Sequence, residues 1–166
     1  MRRFKKAITI YFLAMFVVLC GTKNIYSQSS EVVKQLILRE ADEIWSRGNL
    51  AAIPELFSDS FTMHYGDKVY VLTHEDYRKM VTTWRTAFPD LKMEVNDIII
   101  NGDKAAARYT VTGTHLGELW GYKPTGKLFQ FDEIYIVRVE AGKMVETWGV
   151  WDEYGFRKQL GFLSGK

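Results

Sequence analysis

Two carboxylates and one histidine of this chain occur on or beside predicted strands, where proton-transfer chemistry could use them. Glu133 alternates with Phe131 and Tyr135 along one strand face, and a carboxylate on an otherwise apolar face must be paired or open to a cavity. Asp152 follows the last predicted strand, and His64 lies in a short alternating strand. Each could act as a general acid or base if burial tunes its pKa. We therefore take Glu133, Asp152 and His64 as catalytic candidates.

Plainer interpretations of the same residues remain open. Asp152 could be a strand-end aspartate that makes a turn or a salt bridge, because strict alternation places it on the face opposite Trp151. His64 could be a half-buried strand histidine bonded to backbone. The chain's 3 histidines are scattered over different elements and do not have metal-ligand spacing. We expect neither a metal nor a cofactor.

The elements that would position these residues are organised around a hairpin at 105–139. Alternation with a period of two residues marks both of its strands, before and after a loop at 113–127. Helical spacing, caps and turn residues predict three helices and three further strands. Thr73 is the predicted N-cap of the third helix, with Asp76 three residues on. The predicted helices cover 31–47, 50–57 and 73–88, and the strands cover 61–65, 91–101 and 144–151. This order predicts an α+β fold with three N-terminal helices packed on a strongly curved, mostly antiparallel sheet.

Aromatic residues are abundant, with 5 Trp, 9 Tyr and 10 Phe. Such a surplus is compatible with a ligand cavity as well as with a core. His115 in the hairpin loop has a structural alternative, in which it caps that loop. The residues that we expect to contact a ligand are Tyr65, Trp84, Tyr109, His115, Trp120, Phe131, Tyr135, Trp148 and Trp151.

The N-terminus predicts export. A basic start, Met1 to Lys6, precedes an apolar run from Ala7 to Cys20 that is too short to span a membrane comfortably. We interpret 1–27 as a signal peptide and 28–166 as a single domain of a periplasmic or secreted protein. Lipid attachment at Cys20 is the weaker alternative, because Leu19 occupies a place where such signals have a small residue.

Removal of 1–27 changes which classes of partner are expected. The mature chain has 17 basic and 20 acidic residues, a net charge of −3, and no cysteine. A basic patch for nucleic acid and thiol chemistry are therefore excluded. We expect no membrane contact after signal removal, a small apolar or aromatic molecule as ligand, and a homodimer formed through the sheet. The strand face at Arg108, Thr110, Thr112 and Thr114 is suited to such pairing.

Several motifs, taken in order, resemble one known family. They are Phe88-Pro89-Asp90-Leu91, Gly113-Thr114-His115-Leu116-Gly117, Pro124-Thr125-Gly126-Lys127, the run from Glu140 to Trp148, and Gln159-Leu160-Gly161. The chain resembles the SnoaL-like polyketide cyclases, also called ester cyclases, in the superfamily that shares the cone-shaped nuclear transport factor 2 fold. The resemblance covers about 31–163.

The resemblance implies a cofactor-independent intramolecular aldol ring closure in a deep aromatic pocket, with an aspartate as acid and base and a histidine assisting. Alignment on Gly142-Lys143 and Gln159-Leu160-Gly161 places the aspartate position at Gly149 and the histidine position at Tyr135. Two functions therefore stay open. One is a cyclase, isomerase or hydratase acting on a small, largely apolar carbonyl compound, with the proton-transfer group relocated. The other is a binding module that has lost the catalytic aspartate.

Overall fold

The computed structural model of the protein describes residues 30–163, and it has an α+β architecture with four helices and six strands. Helix α1 is α-helical over 30–39 and continues as a π-helical segment, Glu40–Ser46. The other helices are α2 (Ile53–Leu56), α3 (His74–Ala87) and α4 (Glu153–Leu160). The strands are β1 (Phe57–Tyr65), β2 (Lys68–Thr73), β3 (Lys92–Asn101), β4 (Lys104–Thr114), β5 (Leu128–Glu140) and β6 (Lys143–Trp151). The predicted α+β class is confirmed.

All six strands form one mixed sheet in the order β2-β1-β6-β5-β4-β3. Neighbouring strands are antiparallel except β1 and β6, which are parallel. The long hairpin of β4 and β5 pairs from Lys104 with Arg138 to Thr114 with Leu128. The hairpin predicted around 105–139 therefore lies between β3 and β6 in the sheet, and β6 separates it from β1.

The alternation in the sequence determines which sheet face is covered. Along β4, every second residue from Ala105 to Gly113 is buried, and along β5 the buried series includes Phe129, Phe131 and Glu133. Because successive side chains of a strand point to opposite faces, these residues share the inner face, which packs against α1, α3 and α4. The inner face therefore has aromatic residues and Glu133 side by side.

Local sequence patterns explain why the segments that pack against this face form helices. Val33, Leu36, Ile37 and Ile44 form a buried stripe on α1 at helical spacing. Helix α3 begins with the predicted capping box, in which the Thr73 side chain and the Asp76 side chain bond each other's backbone N–H groups. No helix within residues 30–163 is long and apolar enough to cross a membrane.

The structure differs from the predicted elements in three places. Strand β1 begins at Phe57 rather than Phe61, so that the predicted second helix ends at Leu56. Strand β2 was not predicted, because it is a sheet edge with five of its six residues exposed. Helix α4 was not predicted either, since its eight residues offer only Phe156 and Leu160 to the core. The predicted signal peptide at 1–27 lies outside the described residues.

Candidate functional site

A cavity of about 750 Å³ lies between the inner sheet face and helices α1, α3 and α4. Its wall includes side chains from β1, β5 and β6 at one side and Trp84 of α3 at the other. A volume of this size accommodates a small organic molecule. Seven of the predicted site residues line it, namely Tyr65, Trp84, Trp120, Phe131, Glu133, Tyr135 and Trp151. The sequence thus brings one carboxylate and six aromatic side chains to the same cavity.

Glu133 is the buried carboxylate of this cavity, with 5% of its surface exposed. The Tyr65 hydroxyl donates a hydrogen bond to Glu133 Oε1, and the Tyr135 hydroxyl donates to the Tyr65 hydroxyl oxygen over 2.7 Å. Burial raises the pKa of Glu133 to about 8, although the hydrogen bonds from the two tyrosines lower it. Near neutral pH the group therefore exchanges readily between its acid and base forms, as a proton-transfer residue must.

Gly149 explains how the two tyrosines reach Glu133. In the sheet, Gly149 is paired with Tyr65 on one side and with Tyr135 on the other. A Cβ atom at this position would lie 2.9 Å from a Tyr135 ring carbon and 3.0 Å from a Tyr65 ring carbon. Any side chain here would displace both rings. The absence of a side chain at Gly149 is thus part of the tyrosine–glutamate arrangement.

Comparisons with known proteins identify the family of this chain. The family model of the SnoaL-like polyketide cyclases matches residues 35–160. The chain belongs to this family. Among curated proteins, the aklanonic acid methyl ester cyclase AcmA of Streptomyces galilaeus is 32% identical over 78 residues, which cover 46% of this chain and 54% of that enzyme. The match therefore spans only about half the length of that relative.

Solved structures of other SnoaL-like folds superpose over most of the chain. AclR of Streptomyces galilaeus, for which a hydroxylase activity has been proposed, is 29% identical with a TM-score of 0.68, and the match covers 83% of this chain and 98% of AclR. IdmH of Streptomyces antibioticus, for which a polyketide cyclase activity has been proposed, is 28% identical with a TM-score of 0.67, and the match covers 77% and 97%. The SnoaL-like fold therefore accommodates more than one proposed chemistry.

His64 and Trp148 lie on the outer face of this SnoaL-like sheet, away from the cavity. Because Met63 and Tyr65 line the cavity, alternation along β1 directs His64 outward. Its Nε2 is 2.9 Å from Glu146 Oε1, and its ring stacks on Trp148 with centroids 5.1 Å apart. The structure therefore gives His64 a hydrogen bond with Glu146 and a stacking contact with Trp148 on the outer surface, and neither residue contacts a ligand site in the cavity.

Asp152 is the N-cap of α4. Its side chain is exposed and accepts a hydrogen bond from the Gly155 N–H over 2.8 Å. Aspartate is among the preferred N-cap residues because it satisfies a free N–H group at the helix start. Asp152 does not line the cavity. The structure gives it the structural role of a strand-end aspartate rather than the role of an acid or base in the cavity.

Tyr109 and His115 are buried in packing next to the cavity and do not line it. Tyr109 is 2% exposed and meets the Tyr135 ring edge-on at 6.0 Å. His115 is fully buried, and its Nδ1 accepts a hydrogen bond from the Thr125 N–H over 3.2 Å. Burial lowers the pKa of His115. His115 therefore stabilises the loop between β4 and β5, which is the structural role given above as its alternative.

Glu40 is a second carboxyl group near the cavity that the sequence reasoning missed. It accepts a hydrogen bond from the Tyr77 hydroxyl, which in turn accepts one from Trp45 Nε1 over 3.0 Å. Burial raises the pKa of Glu40 to about 7, and its negative charge contributes to the raised pKa of Glu133. The sequence did contain an indication of this buried carboxyl group. Glu40 lies three and four residues from Ile37 and Leu36 and so interrupts the apolar stripe of α1.

Within residues 30–163, no three histidine, cysteine, aspartate or glutamate side chains are grouped as ligands for a metal ion. Cofactor independence stays a prediction. The chemistry available in the described cavity is acid–base chemistry by Glu133, supported by tyrosine hydroxyl groups.

Proposed function

We propose that the protein is a cofactor-independent proton-transfer enzyme, a cyclase or isomerase that acts on a small, largely apolar carbonyl compound. The observation that carries the proposal is Glu133, a buried carboxyl group on the cavity wall with its pKa raised to about 8. General acids and bases work best when their pKa lies near the working pH. No other carboxylate among residues 30–163 combines cavity position with such burial.

One carboxyl group is sufficient for the reaction type. In its ionised form, Glu133 removes a proton from the carbon next to the substrate carbonyl and becomes protonated. The resulting enolate carbon attacks a second carbonyl of the same molecule and forms a carbon–carbon bond. Glu133 then returns its proton to the alkoxide oxygen, so that no net proton is consumed. Isomerisation differs only in that the proton returns to another carbon.

The tyrosines supply the complementary electrostatic help. Tyr65 and Tyr135 form a hydrogen-bonded chain that ends at Glu133. These donated hydrogen bonds stabilise the ionised form of Glu133 and hold its carboxyl group in a fixed orientation. In this proposal, Glu133 takes the role that the family resemblance assigns to an aspartate at position 149, and the tyrosines fill the space which that aspartate would occupy.

Proton exchange tests the proposal without knowledge of the natural substrate. We expect the protein to catalyse exchange of the methyl protons of 2-acetylnaphthalene in D₂O. The exchange is measured as the loss of the NMR signal of these protons. Glu133→Gln should lower the exchange rate by about 100-fold or more, because a positioned acid or base contributes roughly this factor. The matched control is Asp152→Asn, since asparagine is also a good N-cap, and it should leave the rate unchanged.

The two results that oppose this proposal are distinct. Exchange that survives Glu133→Gln but disappears in Asp152→Asn or His64→Gln would move the chemistry away from the cavity. A wild-type protein that binds the ketone and exchanges nothing would instead be the non-catalytic binding module, the function suggested by Gly149 at the aspartate position.

Export and dimerisation accompany the proposal as expectations. The homodimer would use the outer sheet face, where Ile134, Ile136 and Val150 are exposed apolar residues near Arg108 and Trp148. Analytical ultracentrifugation of the wild type and of Ile134→Lys tests it. A dimer should become a monomer in the variant, and a wild-type monomer would contradict the expectation.

A further inference from the structure

The two edges of the sheet differ in how well they are protected from pairing with another strand. The edge strand β3 carries charged side chains at Lys92, Glu94 and Asp97, and its pairing with β4 is interrupted by a bulge. The Met93 N–H of the same strand donates to the Ser46 hydroxyl of α1 over 3.0 Å. Along its six residues, the other edge strand, β2, has one charged residue and an unbroken register with β1. Because charges, bulges and covering elements are what protect an edge, β2 is the unprotected one.

The free backbone groups of this edge belong to two valines. The turn at 66–67 joins Tyr65 to Lys68, and the residues that flank such a two-residue turn form a hydrogen-bonded pair. Bonded and non-bonded pairs alternate in an antiparallel ladder, so the N–H and C=O groups of Val69 and Val71 point away from β1. Within residues 30–163, no loop or helix bonds these groups. The two side chains are 62% and 70% exposed.

A second copy of the chain fits this edge in one antiparallel register. A strand that pairs with itself must oppose residues of the same face. Registers centred nearer to α3 need the Thr73 N–H, which already donates to Asp76 Oδ2 over 3.0 Å. A register centred on Val69 would oppose Val71 to the turn before β2. The register centred on Tyr70 remains, and in it each Val69 opposes the Val71 of the other copy as a hydrogen-bonded pair.

Charge and cavity position both favour this pairing. Lys68 begins β2, and Glu75 and Asp76 lie in the first turn of α3, directly after the strand ends. An antiparallel second copy brings the basic end of each strand to the acidic end of the other, so the charges are complementary. Lys68, Tyr70 and Leu72 also line the cavity. Since directly opposed residues have Cβ atoms about 5 Å apart, Tyr70 of a second copy would extend the cavity wall.

We propose that the free edge of β2 is an interaction surface for β2 of a second copy of this chain, paired antiparallel about Tyr70. The contact joins two six-stranded sheets edge to edge into one continuous sheet. It goes beyond the proposed function and requires no catalysis. It is also separate from the contact expected at the outer sheet face. A six-residue strand buries less surface than a sheet face, so the edge contact is the weaker of the two.

Cysteine trapping tests the register directly. Every variant carries Cys20→Ser, because Cys20 is the only cysteine of the sequence. Opposed residues of a non-hydrogen-bonded pair have Cα atoms about 4.5 Å apart, which is within the range of a disulfide. Tyr70→Cys should therefore form a disulfide-linked dimer on mild oxidation, visible on a non-reducing gel. Lys68→Cys is the matched control on the same strand face, since the two copies of position 68 would lie about 13 Å apart, beyond reach.

Sedimentation velocity measures the contact without a covalent link. The background is Ile134→Lys, in which the outer-face contact is removed. This protein should be monomeric at about 10 μM and should associate as its concentration approaches about 1 mM, the range of small, weak interfaces. Adding Val71→Lys should abolish the association, because it places a charge on the edge. The matched control is Ile99→Lys on the β3 edge, where the side chain is 72% exposed against 70% for Val71, and it should leave the association unchanged.

Three results would overturn the proposal. They are equal rates of cross-linking for Tyr70→Cys and Lys68→Cys, no association of Ile134→Lys at about 1 mM, and association that survives Val71→Lys. A thermal unfolding midpoint of Val71→Lys well below that of Ile99→Lys would reveal a folding defect, and the cysteine variants would then decide. Failure of the proposed function looks different, because proton exchange would be absent while cross-linking at position 70 persisted.

Discussion

Two glutamates on neighbouring strands differ completely in their surroundings. Glu133 of β5 faces the cavity, is 5% exposed and has its pKa raised to about 8 by burial. Glu146 of β6 faces outward, where hydrogen bonds from His64 and Arg138 lower its pKa. The carboxyl group is the same, and the strand face decides whether its pKa is raised or lowered from the ordinary value of a glutamate.

This difference shows why the outer ion pairs are poor candidates for chemistry. Glu146 is bonded to both His64 and Arg138 over 2.9 Å, and these bonds stabilise its ionised form and make it a weaker base. Glu133 is bonded to neutral hydroxyl groups in a cavity, where removal from water makes its charged form costly. A group that is easily protonated and close to a ligand cavity is the one that can transfer a proton.

The largest effect should appear in the pH dependence of stability. Because the pKa of Glu133 is raised in the folded state, its ionisation opposes folding, and wild-type stability should fall as the pH rises from about 4.5 through about 8. Glu133→Gln should lack this part of the loss, on the order of a few kcal/mol. Denaturant unfolding at pH 5 and pH 9 measures it.

The matched control for this experiment is Glu146→Gln, which should keep the wild-type loss of stability between pH 5 and pH 9. The lowered pKa of Glu146 means that its contribution is present above about 4.5 and is lost as the pH falls below that value. Equal pH profiles for the two variants would contradict the contrast between the strand faces.

A smaller effect is expected from a methyl group at position 149. Gly149→Ala places a Cβ atom about 3 Å from the rings of Tyr65 and Tyr135, and overpacking of this kind costs about 1–3 kcal/mol. Val150→Thr, at an exposed position of the same strand, should change the free energy of unfolding by less than about 0.5 kcal/mol. If the two variants were equally stable, the lack of a side chain at Gly149 would not be the reason that the rings of Tyr65 and Tyr135 fit where they do.

The smallest expected effects are shifts in the pH midpoint of proton exchange, and two variants should shift it in opposite directions. Tyr65→Phe removes a hydrogen bond that lowers the pKa of Glu133, whereas Glu40→Gln removes a charge that raises it. We expect the midpoint of the exchange rate against pH to move upward in the first variant and downward in the second, each by roughly one unit or less. Shifts in the same direction would disprove the assigned electrostatic roles.

The sequence predicted the architecture better than the site. The two-residue period along β4 and β5 correctly places Glu133 on the inner face, and the capping box at Thr73 and Asp76 is found as predicted. Alternation along β1 would also have placed His64 opposite Tyr65, but a single short strand does not reveal which of its faces is buried. That information comes only from the pairing of β1 with β6.

Other residues could not be assigned because their role depends on distant elements. Asp152 is a candidate base in the sequence, but α4, which it caps, is not evident there, since eight residues give little helical periodicity. Tyr135 was expected at a histidine position, but its bond to Tyr65, 70 residues away, required the folded sheet. Glu40 was visible in principle as a charge within the apolar stripe of α1.

The most direct test of the account is the pH dependence of proton exchange in 2-acetylnaphthalene, after subtraction of the protein-free rate. If Glu133 in its ionised form is the base, the catalysed rate should rise with pH, show a midpoint near 8 and level off above it. A midpoint near 4.5, the ordinary value of a glutamate, or a catalysed rate that Glu133→Gln retains, would contradict the assignment of Glu133.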